Sequence, residues 1–125
     1  MKALSVYPKW ADLIRRGIKT IEVRTWSTSY RGPLLICATQ RPRVEGLPYG
    51  VAVCVVQLVD VRPIVSKDSE AACAEVSPGE QFAWVLESPE PIEFDLPVTG
   101  RLGLFAVPDH ASRLLATAGS AACPT

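Results

Sequence analysis

The residues best suited to chemistry cluster in a short N-terminal segment. Lys19 supplies a compact charge for a phosphate oxygen, while Arg24 and Arg31 supply planar guanidinium groups that bind phosphate oxygens in pairs. Trp26 and Tyr30 add rings on which a nucleobase can stack. These residue types predict a site for an anionic, aromatic ligand.

Glu22 does not suit a pure phosphate site, because a carboxylate repels phosphate. It could accept a hydrogen bond from the exocyclic amino group of a base, or hold Lys19 or Arg24 in place. In an enzyme, Lys19 and Glu22 would be the candidate catalytic residues, as a general acid–base pair acting on water. The alternative is a structural Glu22–Arg24 ion pair on one strand.

Several neighbouring residues extend or limit this site. Lys9 and Arg41 are further candidate ligand-binding cations. Trp10 lies on the apolar stripe of a predicted helix, which favours the core over a stacking surface, and Trp84 is expected in the core too. His110, the only histidine, is expected at the surface of a helix end.

Neither a metal site nor a cofactor is expected. The four cysteines, Cys37, Cys54, Cys73 and Cys123, form no C-x-x-C pair, and free thiols are favoured over two disulfides. No apolar run approaches the ~20 residues of a membrane span, and the N-terminus does not resemble a signal peptide. We therefore expect a cytoplasmic protein with no membrane partner.

The charge is divided unevenly along the chain. Residues 1–45 hold nine Lys or Arg against three Asp or Glu, and residues 46–125 hold four against ten, although the formal net charge is zero. This asymmetry predicts a basic face and hints at nucleic acid or another anionic ligand, unless the halves intermix in space.

The elements that must position these residues are short and mostly extended. Strand patterns occur in KALSV, KTIEVRTW, LLICAT, the long and bent VAVCVVQLVDVRPIV, QFAWVLE, PIEFDLPV and RLGLFAV. A helix is predicted from Pro8 to Gly17 and another from Pro108, with an acidic helix or surface excursion over 66–78. We expect one domain over residues 1–125, with a tail frayed from about residue 118, and a mostly β (α+β) fold.

The segment GIKTIEVR resembles the Gly-x-Lys-x-x-Glu-x-Arg signature of the ASCH-domain family, with Gly17, Lys19, Glu22 and Arg24 on its four motif positions. The flanking SVYPKWA and YRGPLLICAT, and the later GVAVCVVQLVDV and FAWVLESPEPI, are similar to the family as well. The resemblance covers residues 3 to about 107. It implies a PUA-like small β-barrel of about six strands with two or three short helices.

The resemblance also implies a ligand. ASCH domains resemble RNA-binding PUA domains, and branches of the family are associated with amidohydrolase action on acetylcytidine or with ribonuclease activity; DNA is a further type of partner. The amidohydrolase branch carries a threonine where this chain has Glu22, and strand alternation points the nearby Thr20 away from Lys19.

We therefore expect a module that binds single-stranded RNA or a nucleotide-like ligand in a basic cleft. The residues expected to form the cleft are Lys19, Glu22, Arg24, Trp26 and Arg31. A hydrolase acting on a modified nucleoside or on single-stranded RNA is the alternative, and a protein-interaction module ranks last. The sequence leaves the oligomeric state open.

Overall fold

The computed structural model describes the backbone of residues 1–121 and the side chains of residues 1–117. Its elements are β1 (Lys2–Val6), α1 (Pro8–Arg15), β2 (Ile21–Arg24), β3 (Gly32–Ala38), β4 (Ala52–Pro63), a one-turn 3₁₀ helix (Ser66–Asp68), α2 (Ser69–Ala72), β5 (Phe82–Pro91), β6 (Leu104–Ala106) and α3 (Asp109–Ala121). The six strands form one mixed sheet in the order β2-β5-β4-β3-β1-β6, curved into a half-barrel. The expected PUA-like α+β fold is confirmed.

Strand β3 is buried on both faces and separates two apolar cores. Leu34 and Ile36 face a first core, which contains Trp84 and the apolar side of α1. Leu35 and Cys37 face a second core, closed by β6 and α3. Because successive side chains of a strand point to opposite faces, the unbroken apolar run of β3 is the pattern of a strand covered on both sides.

Strand β4 bends along its length, as its sequence predicted. Its pairing with β5 shifts register between Val55 and Gln57 and again between Leu58 and Asp60. Such irregularities bend a strand and increase its local twist. The curvature brings the sheet round toward the shape of a half-barrel.

The helix predicted at Pro8 begins there, since proline suits the first turn, where no N–H partner is needed. Strand β1 leads into it and pairs in parallel with β3, which places Ser5 opposite Cys37. At the far end of the sheet, β2 pairs with β5 and places Glu22 opposite Trp84. The short β1–α1–β2 connection therefore joins strands near the two ends of the sheet.

One predicted strand, PIEFDLPV, is wrong. Residues 92–103 form a connection without a strand. Among the described residues, their only β-type pairing is an isolated bridge between Val51 and Pro97. Pro91 and Pro97 carry no N–H to donate to a strand ladder. Leu96 and Val98 are nevertheless buried in the second core, which accounts for the strand-like apolar pattern.

The acidic segment 66–78 contains two single-turn helices. The tail was expected to fray from about residue 118, but α3 continues to Ala121; residues 122–125 lie outside the described residues. Cys37, Cys54 and Cys73 are free, and Cys123 lies outside the described residues too. Within residues 1–121, no helix is long and apolar enough to cross a membrane. The same residues contain no cluster of three side chains suited to a metal ion.

Candidate ligand-binding cleft

A cleft of about 1010 Å³ lies between β1 and β2. Three separate parts of the chain complete its walls: the start of α1, the ends of the loop between β3 and β4, and residues 97–103 with the start of α3. The cleft therefore collects residues that are far apart in sequence.

Arg24 crosses the gap between the two strands. Its Nη2 atom donates a hydrogen bond to the carbonyl oxygen of Ser5, at 2.9 Å, and its Nε atom donates to Glu22 Oε2, at 3.0 Å. Strands β1 and β2 do not pair with each other in the sheet, so this side chain links them where backbone pairing does not. Arg24 thus holds the width of the cleft and also lines it.

Glu22 lines the cleft and is buried, with only 6% of the residue exposed. Its second carboxylate oxygen, Oε1, lies 3.7 Å from Lys19 Nζ. A buried carboxylate is tolerated when cations and hydrogen-bond donors surround it, and Glu22 has a cation on each oxygen. Its charge is therefore already balanced by the protein.

Lys19 lies behind Glu22 and is itself only 3% exposed. Its Nζ atom donates a hydrogen bond to the carbonyl oxygen of Ala72 and lies 4.6 Å from the ring centroid of Trp10. Burial lowers the pKa of Lys19 from its usual value, and the neighbouring Glu22 carboxylate opposes only part of that change. Lys19 is thus a positioned cation beneath the cleft surface.

Two aromatic residues form a wall beside this charged group. Trp10 is half-buried: it packs against the first core and also lines the cleft, with Lys9 Nζ 4.7 Å from its ring centroid. Trp10 therefore packs against the core, as expected, and also contributes to the cleft, which was not expected. Tyr7 lines the cleft as well and is 55% exposed.

A further wall comes from the connection before β6. Arg101 lines the cleft, is exposed, and has no ion pair or hydrogen bond with any residue of the described chain. Gly100 lies so close to Ser5 that a Cβ atom there would be 2.8 Å from the serine Oγ. That Oγ is buried and has no hydrogen-bond partner among residues 1–121. His110, exposed at the start of α3, adjoins Pro97, whose carbonyl oxygen lies 3.0 Å from its Nε2.

The structure brings together only part of the expected site. Glu22 and Arg24 line the cleft, Lys19 supports them from behind, and Lys9 lies against Trp10. Arg41 is exposed on the loop between β3 and β4, next to Gln40, which does line the cleft.

Trp26, Tyr30 and Arg31 lie elsewhere. Trp26 packs edge-on against Trp84, with ring centroids 4.8 Å apart. The Tyr30 hydroxyl donates to the carbonyl oxygen of Pro33, and Arg31 donates to the carbonyl oxygens of Thr28 and Tyr30. Strand β2 ends at Arg24, and the turn that follows carries these three residues away from the cleft. Trp26, Tyr30 and Arg31, which were expected in the ligand site, therefore do not line the cleft.

The cleft residues that were not predicted from the sequence include Ser5, Tyr7, Gln40, Arg101 and His110. Ser5 lies in β1 and Tyr7 directly follows that strand. Both belong to the segment SVYPKWA, which resembles the family pattern, so a signal for them existed. Gln40 and Arg101 sit in polar, glycine-containing loops that carry no periodic pattern. Only the tertiary fold brings these loops to the cleft.

A curved mixed sheet, with Glu22 and Arg24 on β2 and the buried Lys19 just before it, defines a small PUA-like domain. The sequence-family model of the ASCH domain matches residues 4–97, and the chain therefore belongs to the ASCH-domain family. The matched range includes Lys19, Glu22 and Arg24.

Two curated proteins and several solved structures are similar to this chain. Activating signal cointegrator 1 of Homo sapiens is 53% identical over 38 residues, which is 30% of this chain and 6% of that protein. The Mus musculus protein of the same name is 52% identical over 40 residues, 31% of this chain and 7% of that protein. The chain thus spans only a small fraction of the length of these relatives.

The solved structures extend the similarity to the whole fold. ASCH from Zymomonas mobilis superposes with a TM-score of 0.71 at 16% identity, covering 93% of each chain. Two mutant proteins of it superpose with TM-scores of 0.65, at 16% and 17% identity. One comparison covers 93% of this chain and 96% of the other, and the second covers 94% of each. At this identity the likeness establishes the fold.

Proposed function

We propose that this chain binds single-stranded RNA, or a nucleotide-like ligand, in the cleft between β1 and β2. The observation that carries the proposal is the Glu22 carboxylate at the cleft surface, held between Lys19 and Arg24 beside an aromatic wall. A carboxylate neutralised by its own neighbours can accept a hydrogen bond from a base amino group without adding a net negative charge. Membership of the ASCH family supports the same class of ligand.

Each wall of the cleft suits a different part of a nucleotide. Tyr7 and Trp10 offer ring surfaces for a base, and base–aromatic stacking contributes ~1 to 3 kcal/mol per base. Arg101, which has no partner among the described residues, offers a guanidinium group for phosphate oxygens. A volume of about 1010 Å³ is at the upper end of small-ligand sites, which leaves room for a nucleotide and part of its neighbour.

The binding experiment measures the affinity of purified protein for a nucleoside monophosphate and for a fluorescently labelled pentaribonucleotide. Replacing Arg101 with Ala should weaken both ligands about tenfold, the loss expected for one charge-assisted phosphate contact. Lys67→Ala removes an exposed cation on the one-turn helix, away from the cleft lining, and is the matched control. Unchanged affinity in Arg101→Ala, with wild-type thermal stability, would contradict this placement of the phosphate.

A hydrolase acting on a modified nucleoside or on single-stranded RNA is the second candidate, favoured by one observation. Lys19, whose pKa is lowered by burial, lies 3.7 Å from a carboxylate that reaches the cleft surface. In this arrangement Glu22 would take a proton from a water that attacks the scissile bond and return it to the leaving group, while Lys19 holds the carboxylate in position.

Mass spectrometry separates the two candidates. The protein is incubated with acetylcytidine and, separately, with a single-stranded RNA, and loss of the acetyl group or strand cleavage is followed. Turnover that disappears in Glu22→Gln, a variant that keeps the shape of the side chain, would establish the enzyme. Intact substrates together with retained RNA would establish a binding module.

A further inference from the structure

The loop between β3 and β4 carries a second ordered aromatic–cationic feature beside the cleft. The guanidinium carbon of Arg43 lies 3.9 Å from the ring centroid of Tyr49. Both residues are exposed, and Tyr49 is 42% accessible. A guanidinium group at this distance from a ring is held by cation–π attraction, so Arg43 is not a freely moving surface cation.

Gln40 fixes the same guanidinium group from a second direction. Arg43 Nε donates to the Gln40 carbonyl oxygen at 3.2 Å, and Arg43 Nη2 lies 3.4 Å from Gln40 Oε1. Gln40 in turn lines the cleft and packs tightly against Gly50, where a Cβ atom would be 2.3 Å from the Gln40 amide nitrogen. The Arg43–Tyr49 pair is thereby tied to the cleft wall.

No carboxylate neutralises this loop within the described part of the chain. Glu45 is the only acidic residue between β3 and β4, and it lies within ion-pair distance of neither Arg41 nor Arg43. Lys9, whose Nζ lies over the ring of the cleft residue Trp10, is also without an ion pair among the described residues. Lys9, Arg41 and Arg43 therefore have no ion-pair partner among the described residues, whereas Arg15, Arg16, Arg31 and Arg62 are each paired with an aspartate.

We propose that Arg43, stacked on Tyr49 and held by Gln40, is a second nucleotide subsite of the same cleft. A base of a single-stranded nucleic acid stacks on the solvent-facing side of the Arg43 guanidinium plane, while its neighbour along the strand occupies the main cleft. Guanidinium planes and aromatic rings are the surfaces on which unpaired bases stack. Arg41 then contacts the phosphate between the two nucleotides. This inference rests on the proposed function, and it selects a polymer over a free nucleotide as the ligand.

The test compares a labelled pentaribonucleotide with a nucleoside monophosphate at several salt concentrations. Arg43→Lys keeps the charge but removes the planar surface, so it should weaken pentamer binding about tenfold with an unchanged salt slope. Arg41→Ala removes a phosphate contact, so it should lower the slope of log affinity against log salt by about 0.7. Lys67→Ala is the matched control for loss of an exposed cation and should change neither quantity.

The outcomes distinguish this inference from the proposed function itself. Wild-type affinity of Arg43→Lys for the pentamer would overturn the stacking subsite, as would a pentamer that binds no more tightly than the monophosphate. Displacement of the pentamer by an oligoglutamate peptide of equal charge would overturn it too, because a peptide supplies charge without bases. If the wild-type protein binds neither RNA ligand, the proposed function fails instead. Thermal denaturation of each variant confirms that it is folded.

Discussion

The position of Lys19 shows how a single buried charge shapes this site. Lysine is rarely buried without a partner, and Lys19 has three: Glu22, the carbonyl oxygen of Ala72 and the ring of Trp10. These contacts compensate for lost hydration only in part, since its pKa is still lowered by burial. The protein therefore maintains an unfavourable charge where it can hold Glu22 at the cleft surface.

Replacing Lys19 with Met should lower the free energy of unfolding by about 2 kcal/mol at neutral pH, because Glu22 and Ala72 each lose a partner. A lysine with a lowered pKa binds its proton less tightly in the folded state than in the unfolded state, so its effect on stability becomes more favourable as the pH rises toward 10.5. In urea unfolding, the difference in unfolding free energy between wild type and Lys19→Met should grow as the pH rises toward 10.5. A difference independent of pH would contradict this account.

Replacing Ser5 is expected to affect ligand binding without lowering stability. Its buried Oγ has no hydrogen-bond partner within residues 1–121, so Ser5→Ala should leave the melting temperature unchanged or raise it slightly. If a bound nucleotide uses this hydroxyl, its affinity should fall about fivefold, since a modest hydrogen bond is lost. Calorimetric titration together with thermal unfolding measures both. A clear loss of stability would show that Ser5 has a structural partner in solution.

Between elements, the Arg62–Asp68 pair fastens the end of β4 to the one-turn helix that follows it. Arg62 Nη1 and Nη2 donate to the two Asp68 oxygens at 2.8 and 2.9 Å, and the backbone N–H of Val65 donates to Oδ2 at 2.8 Å. The hydrogen bonds from Arg62, and to a lesser extent the one from Val65, lower the pKa of Asp68 to about 2. Such a carboxylate stabilises the fold above its unfolded pKa, and the stabilisation is lost as the pH falls toward 2.

Asp68→Asn should therefore cost about 1 to 2 kcal/mol of unfolding free energy at neutral pH, with the difference from wild type shrinking between pH 4 and pH 2. Asp60→Asn is the matched control, because its exposed ion pair with Arg31, at 3.8 Å, should contribute at most about 0.5 kcal/mol. Urea unfolding at three pH values measures both. Equal effects of the two substitutions at neutral pH would refute the role of Asp68.

The positions of the helices and strands were largely predictable from the sequence, whereas the contacts between elements distant in sequence were not. Pro8 marked the start of α1, the apolar run marked β3, and period-two spacing placed Glu22 and Arg24 on one face, where they are in contact. These are local signals. The extension of β2 to Trp26 failed because alternation continued past the true strand end. The contact between Arg24 and β1 depends on the curvature of the whole sheet, which no local pattern records.

For the molecule as a whole, the two cores share one sheet, and this has a consequence for its cysteines. Cys37 faces the second core and Cys54 the first, on the paired strands β3 and β4. Burial raises the pKa of each thiol to about 12, so neither forms the reactive thiolate in the folded protein at pH 8. Alkylation of either cysteine therefore reports the opening of the core around it.

We predict that iodoacetamide modifies Cys37 and Cys54 at the same urea concentration, because β3 and β4 cannot separate without exposing both faces of the sheet. Peptide mass spectrometry at pH 8 measures each site separately, with the half-buried Cys73 as the internal comparison expected to react first. Earlier modification of Cys37 than of Cys54 would mean that the α3 side opens independently. The domain would then consist of two stability units divided by its own sheet, with the cleft at their boundary.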